Sequence, residues 1–191
     1  DNQTLCWGLL KMRDMGFPVI GTIHHPITRD RRIDIEHAPS LWISLLKRRW
    51  YTFLKMQMKV ARQLDPLIVV SKSTMRDVSA DFGLDPAKLR LVYHGIDSER
   101  WHPMPEVKRV PNRIVACASA DVPLKGLIYL IRAYDQLLPH YPDLELVVIG
   151  SLREGPTSME LERRGIKDKV KFISGLSDEE MVRQYNEATI A

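Results

Sequence analysis

The feature that most constrains this chain is a repeated change of period. Short apolar runs of strand length alternate with longer segments whose apolar residues recur at three- and four-residue steps. QTLCWGLLKMRDMG reads as a helix closed by Gly16, and FPVIGTIHH as a strand. Residues from about Pro39 to Leu64 read as one long helix with Trp42, Leu46, Trp50, Phe53, Val60 and Leu64 on its apolar stripe. PLIVVS then reads as a strand, STMRDVSADFG as a helix ending at Gly83, and LRLVYHG as a strand. A stretch holding Pro103, Pro105 and Pro111 with little periodicity is the best linker candidate. After it the alternation restarts: strand 113–118, helix 126–138, strand 144–149, a short helix near 158–164, strand 170–174 and helix 178–188. Ser177 and Glu180 stand at capping-box spacing before the last helix. Strands that alternate with helices must cross over, so the sheets are parallel and wound right-handedly, as in Rossmann-like units. About three strands per half make thin sheets, and NEATIA reads as the start of a further strand. A central fragment lacking both ends of a longer protein is therefore expected.

Composition enters by exclusion. Hydrophobic residues at 45% and charged residues at 27% are ordinary globular values. No apolar run approaches the roughly 18 residues of a membrane span, and the start carries no secretory signal pattern. Cys6 and Cys117 lie far apart and form no disulfide framework, which points to a reducing, cytoplasmic compartment. A net charge of +4 suits an anionic ligand or surface, but it is too small to imply nucleic acid, and no module with stacking aromatics accompanies it. Arg48, Lys55, Lys59 and Arg62 lie along one rough stripe of the long helix. That pattern reads either as a core helix backed by solvated charge or as a basic face on an anionic membrane.

SADVPLKG, Ser119 to Gly126, joins a strand to a helix. In an open parallel sheet, ligands sit beyond the carboxyl ends of the strands, where helix N-termini offer unpaired N–H groups and partial positive charge. Lys125 adds a full charge there, and Gly126 has no Cβ to hold a phosphate off the backbone. An ordinary turn with an exposed Lys is the competing reading. The stretch is neither a Walker loop nor a G-x-G-x-x-G fingerprint, so local chemistry leaves both open.

Five passages carry a resemblance: TIHHPITRDRR, VVSKSTMRDVSADFGLDPAKLRLVYHGIDSERWHP, RIVACASADVPLKGLIYLIRAY, LELVVIG and VKFISGLSDEEMVRQYNEA. In order and spacing they resemble retaining glycosyltransferases of the GT-B type, in the class of glycosyltransferase family 4 and glycosyl transferases group 1. Each motif is weak singly, but five in register cover nearly the whole chain. The resemblance implies an α/β, GT-B type fold with parts of two Rossmann-like domains whose parallel sheets face across a cleft. Residues 1–97 would be the C-terminal part of the acceptor-side domain and 98–111 the linker. Residues 112–191 would be the N-terminal part of the nucleotide-sugar-binding domain.

The implied activity is transfer of a sugar from a nucleoside-diphosphate sugar to a carbohydrate or lipid-linked acceptor, with retention at the anomeric carbon. Neither a metal nor a cofactor is implied, nor a nucleic-acid partner. The implied location is cytoplasmic, with peripheral contact at the inner membrane face. His24 aligns with the family's cleft histidine, the catalytic candidate that contacts the donor sugar, with His25 next to it. Lys125 aligns with the diphosphate-binding lysine. Ser119, Gly126, Gly150, Ser151 and Gly175 are the accompanying nucleotide-sugar residues. Arg29, Arg31 and Arg32 either bind an anionic acceptor or belong to a solvated loop.

One departure stands out. The family's Gly-Arg pair falls near Ser119 and Ala120, so its arginine is absent, and Arg113 at the start of the strand is poorly placed to replace it. One lost charge-assisted contact costs about 1.5–3 kcal/mol if nothing compensates. The family's P-S-x-x-E-G-F-G passage and E-x7-E would begin just after Ala191, so the chain by itself is expected to be inactive. The alternative is a degenerate GT-B module that binds nucleotide or a membrane surface without transferase activity.

Overall fold

Among the described residues, six strands pair into two three-stranded parallel sheets, one in each half of the chain. The computed structural model describes residues 5–118 and 125–191, in two compact units, Asp1–Gly95 and Ile96–Ala191.

In the first unit the sheet order is β1 (Gly21–Ile23), β2 (Leu67–Val69), β3 (Leu89–Leu91), with Leu67 level with both Gly21 and Leu89. Around it lie α1 (Trp7–Asp14), α2 (Ile27–Glu36), α3 (Leu41–Trp50), α4 (Leu54–Ala61) and α5 (Lys72–Phe82). The helix α5 starts where the Ser71 hydroxyl accepts from Thr74 N, and it stops where Gly83 turns left-handed at φ +61. Its buried Val78 and Phe82, four apart, meet Val60, Leu64, Leu67 and Val69 in the core.

Two expectations are corrected here. The long helix from Pro39 to Leu64 is broken by a 3-10 turn at Tyr51–Phe53. The Thr52 hydroxyl donates to the Arg49 carbonyl at 2.8 Å, a local bond that competes with regular helix. Three residues at 3.0 rather than 3.6 per turn advance the helix face by roughly 60°. The expected single stripe therefore splits: Leu54, Val60 and Ala61 of α4 are buried, whereas Trp42, Leu46 and Trp50 of α3 are exposed. The second correction is that the stretch from Thr28 to Arg32 lies in the helix α2 and is not a loop. The Asp34 carboxylate on α2 accepts from the Tyr51 hydroxyl at 2.6 Å. Burial, with Asp34 adding to it, pushes that hydroxyl's pKa up.

In the second unit the order is β4 (Arg113–Cys117), β5 (Glu145–Ile149), β6 (Val170–Ile173), with α6 (Leu127–Leu137), α7 (Pro156–Arg164) and α8 (Asp178–Glu187). The central β5 buries Leu146, Val147, Val148 and Ile149, the unbroken apolar run of a strand covered on both faces. Leu146 and Val148 pack with Ile131, Tyr134 and Leu161, while Val147 and Ile149 pack with Val115 and Ala188. The end of the chain extends this sheet as its pattern suggested, with Ile190 bridging Ile114 in parallel. Ser177 and Glu180 form the expected capping box at α8. The proline-bearing stretch 98–111 lies along α8: Met104 N donates to the Asn186 side chain, and Val110 N donates to the Glu187 carbonyl.

Buried Glu160 ties α6 to α7, accepting from Arg132 at 2.9 Å and from Arg163 and Arg164 at 2.8 Å. Arg164 also reaches Asp135. Hydrogen bonds from Arg163 and then Arg164 hold the Glu160 carboxyl well below the usual carboxylate range. A depressed pKa contributes stability that is present above the unfolded-state value of about 4.5 and is lost as pH falls toward the folded value. Glu160→Gln is therefore expected to lower the unfolding midpoint at pH 7, with the difference from the parent shrinking as pH falls below about 4.5. Thermal unfolding at pH 7 and pH 3 checks this; a difference independent of pH would contradict it.

Candidate functional site

Parallel pairing puts the carboxyl ends of β4, β5 and β6 on one edge of the second sheet. The backbone crowds there. Gly150, just past β5, has φ +149, donates its N–H to the Ile173 carbonyl at 2.7 Å, and lies against Ala118. A Cβ at that position would stand 2.1 Å from the Ala118 carbonyl oxygen. Gly175, past β6, is left-handed at φ +75, and Ser151 is exposed. Lys125 is exposed beside Gly126, the N-cap of α6, which is left-handed at φ +73 and makes no side-chain cap of its own. A charged ammonium and the first N–H groups of a helix thus stand together, an arrangement suited to phosphate. Ser119 lies outside the described residues. Arg113 is taken at the other end of β4 by Glu145 at 2.7 Å and Glu187 at 2.8 Å, so it cannot replace the missing arginine. A cation that sequence reading passed over, Arg153, is exposed in the loop between β5 and α7.

At the first sheet, His24 directly follows β1 and His94 lies three residues past β3. Their rings stack at an interplanar angle of 11°, with His24 Nδ1 3.2 Å from His94 Nε2. One proton occupies that contact, so one ring donates and the other accepts. The His24 carbonyl accepts from the Thr74 hydroxyl at 3.0 Å, which ties it to the start of α5. His25 turns elsewhere, its Nε2 3.0 Å from Asp30 on α2. The adjacent histidines thus have different partners, and His94 had no signal in sequence beyond its place in HGID.

The three candidate arginines differ in pairing. Arg29 is paired with Asp77 at 2.7 Å, and Thr28 donates to Asp81. Arg31 and Arg32 are exposed, and all three arginines line one cavity of about 520 Å³ with Arg48 of α3 and the carboxylates Glu36 and Asp81. Arg48 entered the sequence reading only as part of a stripe. Asp97 behaves as a turn residue, its carboxylate accepting from the Glu99 and Arg100 N–H groups. Among the described residues no three His, Cys, Asp or Glu side chains are grouped to hold a metal ion.

Known proteins bear on this geometry. The family model described as Glycosyltransferase Family 4 matches residues 1–100, and that described as Glycosyl transferases group 1 matches residues 102–191. The chain is similar to the MMP alpha-(1->4)-mannosyltransferase of Mycolicibacterium hassiacum, 44% identical across 100% of this chain and 46% of that protein. It is also similar to a GDP-mannose-dependent monoacylated alpha-(1-6)-phosphatidylinositol monomannoside mannosyltransferase of Corynebacterium glutamicum, 30% identical across 69% of this chain and 37% of that protein. The chain thus spans less than half the length of these relatives. A solved sucrose-phosphate synthase from Thermosynechococcus elongatus, 18% identical, superimposes with a TM-score of 0.68 over 95% of this chain and 46% of its own. That likeness is one of fold, and the fold is the GT-B type.

Proposed function

We propose that this chain, which belongs to Glycosyltransferase Family 4, is the part of a hexosyltransferase that binds a nucleoside-diphosphate sugar and transfers its sugar with retention to a carbohydrate or lipid-linked acceptor. The observation that carries the reading is the exposed Lys125 at the start of α6, whose N-cap is Gly126, on the carboxyl edge of the β4-β5-β6 sheet. Diphosphate leaves as an anion, and charge stabilisation at that point lowers the barrier directly. We assign Lys125 and the α6 N-terminus to this role, with Arg153 as the second cation in place of the absent arginine. No bound metal is required in this scheme. Gly150, Ser151, Gly175 and Ser119 would offer backbone and hydroxyl groups to the nucleotide. His24, oriented by His94, would donate a hydrogen bond to the donor sugar near its anomeric carbon. Arg31 and Arg32 are the better acceptor residues, since Arg29 is already paired.

Mannose is the sugar we assign, because both relatives are named mannosyltransferases and one is named GDP-mannose-dependent. The test is calorimetric titration of the full-length protein with GDP-mannose and UDP-glucose. Lys125→Ala is expected to weaken donor binding by about 10- to 100-fold, the loss of one charge-assisted contact. Wild-type affinity in that variant would sink the assignment. The substitution of Ser119 and Ala120 for the Gly-Arg pair favours one second reading, a module that binds nucleotide without turnover. It predicts donor binding with no sugar transfer by the full-length protein.

A further inference from the structure

Helix α3 carries its apolar side outward. None of its ten residues is buried. Leu41, Trp42, Leu45 and Trp50 are 88%, 67%, 59% and 73% exposed. At 3.6 residues per turn these four fall within one half of the helix circumference, with the exposed Arg49 among them. The opposite side is the tethered one: Lys47 Nζ donates to the Asp34 carbonyl at 3.0 Å and stands 3.5 Å from its carboxylate. This reverses the usual arrangement of a surface helix, and an exposed apolar face of this kind marks a surface that meets something.

Charge identifies what it meets. Between Glu36 and Asp65 there is no acidic residue, whereas Lys47, Arg48, Arg49, Lys55, Lys59 and Arg62 all fall there. Arg48 belongs to α3 itself and shares the 520 Å³ cavity with Arg29, Arg31 and Arg32 of α2, four arginines against the two carboxylates Glu36 and Asp81. A second copy meeting this face by two-fold symmetry would set Arg48 and Arg49 against the same cations. An anionic bilayer is complementary to both features: Trp and Leu enter the headgroup–acyl boundary while arginines hold the phosphates. No described helix is long and apolar enough to cross a membrane, so the contact is with the surface.

We propose that α3 is an interfacial anchor that lays this protein on an anionic membrane, with Trp42, Trp50, Leu41 and Leu45 seated in the interface and Arg31, Arg32 and Arg48 holding lipid headgroups in the adjoining groove. The surface needs no bound nucleotide, so it stands apart from the donor reading; a headgroup held by Arg31 and Arg32 occupies the place assigned above to the acceptor, which on this face is lipid-linked.

Flotation of the full-length protein tests it, with vesicles of phosphatidylcholine alone and with phosphatidylglycerol added. Binding is expected only with the anionic lipid, weakening as salt is raised, with a blue shift of tryptophan fluorescence. Trp42→Ser with Trp50→Ser is expected to lower partitioning by roughly tenfold or more, and Arg48→Gln by about fivefold. Both tryptophans are exposed, so the parent's unfolding midpoint should persist in the double variant. GDP-mannose affinity, measured on the same samples, should be unchanged. Absence of binding to anionic vesicles overturns the proposal, as does equal binding by the double variant. So does quencher protection of Trp42 and Trp50 in the lipid-free protein, which would show the face covered by the rest of the chain. A concentration-dependent dimer abolished by the double variant would assign the face to a second copy instead.

Discussion

Gly150→Ala is expected to destabilise the second unit by about 3 kcal/mol, and to weaken donor binding with it. Two effects act at one atom. The backbone there has φ +149, a region that side chains rarely adopt. The added Cβ would also stand 2.1 Å from the Ala118 carbonyl oxygen and 3.1 Å from its carbon. Neither neighbour can rotate away, because both are backbone. Ala118 is held by its own N–H bond to the Ile149 carbonyl at 3.0 Å, and Gly150 by its bond to Ile173. Relief requires the carboxyl ends of β4 and β5 to separate, at the edge where Lys125 and Gly175 are assigned to the donor. Gly126→Ala isolates the dihedral contribution. It has φ +73 with nothing among the described residues within 4 Å of an added Cβ, and should cost only about 1–2 kcal/mol. Urea unfolding of the two variants and the parent checks the ordering. Equal midpoints for Gly150→Ala and the parent would contradict the crowding argument.

Tyr134→Ala should cost about 4 kcal/mol, the loss of a large buried aromatic together with the cavity left behind. Tyr134 lies on the core face of α6 and is almost wholly buried with Ile131, Leu146, Val148 and Leu161. Its hydroxyl sits 3.0 Å from the Leu144 carbonyl and 2.9 Å from the Lys169 carbonyl, at the entries to β5 and β6. One proton is shared between those two acceptors, and burial pushes the hydroxyl's pKa up. Tyr134→Phe keeps the ring and removes the bridge, at about 1–2 kcal/mol. The expected order of midpoints in denaturant is therefore parent, then phenylalanine, then alanine. A Tyr134→Ala protein within about 1 kcal/mol of the parent would mean that α6 does not seal this core.

Element type was legible wherever local chemistry and burial agreed. The run LELVVIG, the stop at Gly83 and the box at Ser177 and Glu180 each act within a few residues, and each appears as expected. Helix α2 was missed because none of its residues is buried, so no apolar period marks ITRDRRIDIE as a helix. The break at Tyr51–Phe53 was missed because the apolar spacing continues through it, while the local bond from Thr52 does not show in that spacing.

By itself, the sequence determined the alternation of strands and helices, the parallel pairing that follows from it, and the place of Lys125 and Gly126 at a strand-to-helix turn. Tertiary structure alone decided that His24 meets His94, since β1 and β3 must first be set on either side of β2. It also decided that Ala118 presses on Gly150 and that α3 turns its tryptophans outward. The reason is one of range. Period and caps act over a few residues of one segment, whereas these contacts join residues brought together only by sheet order and packing, which local spacing does not encode.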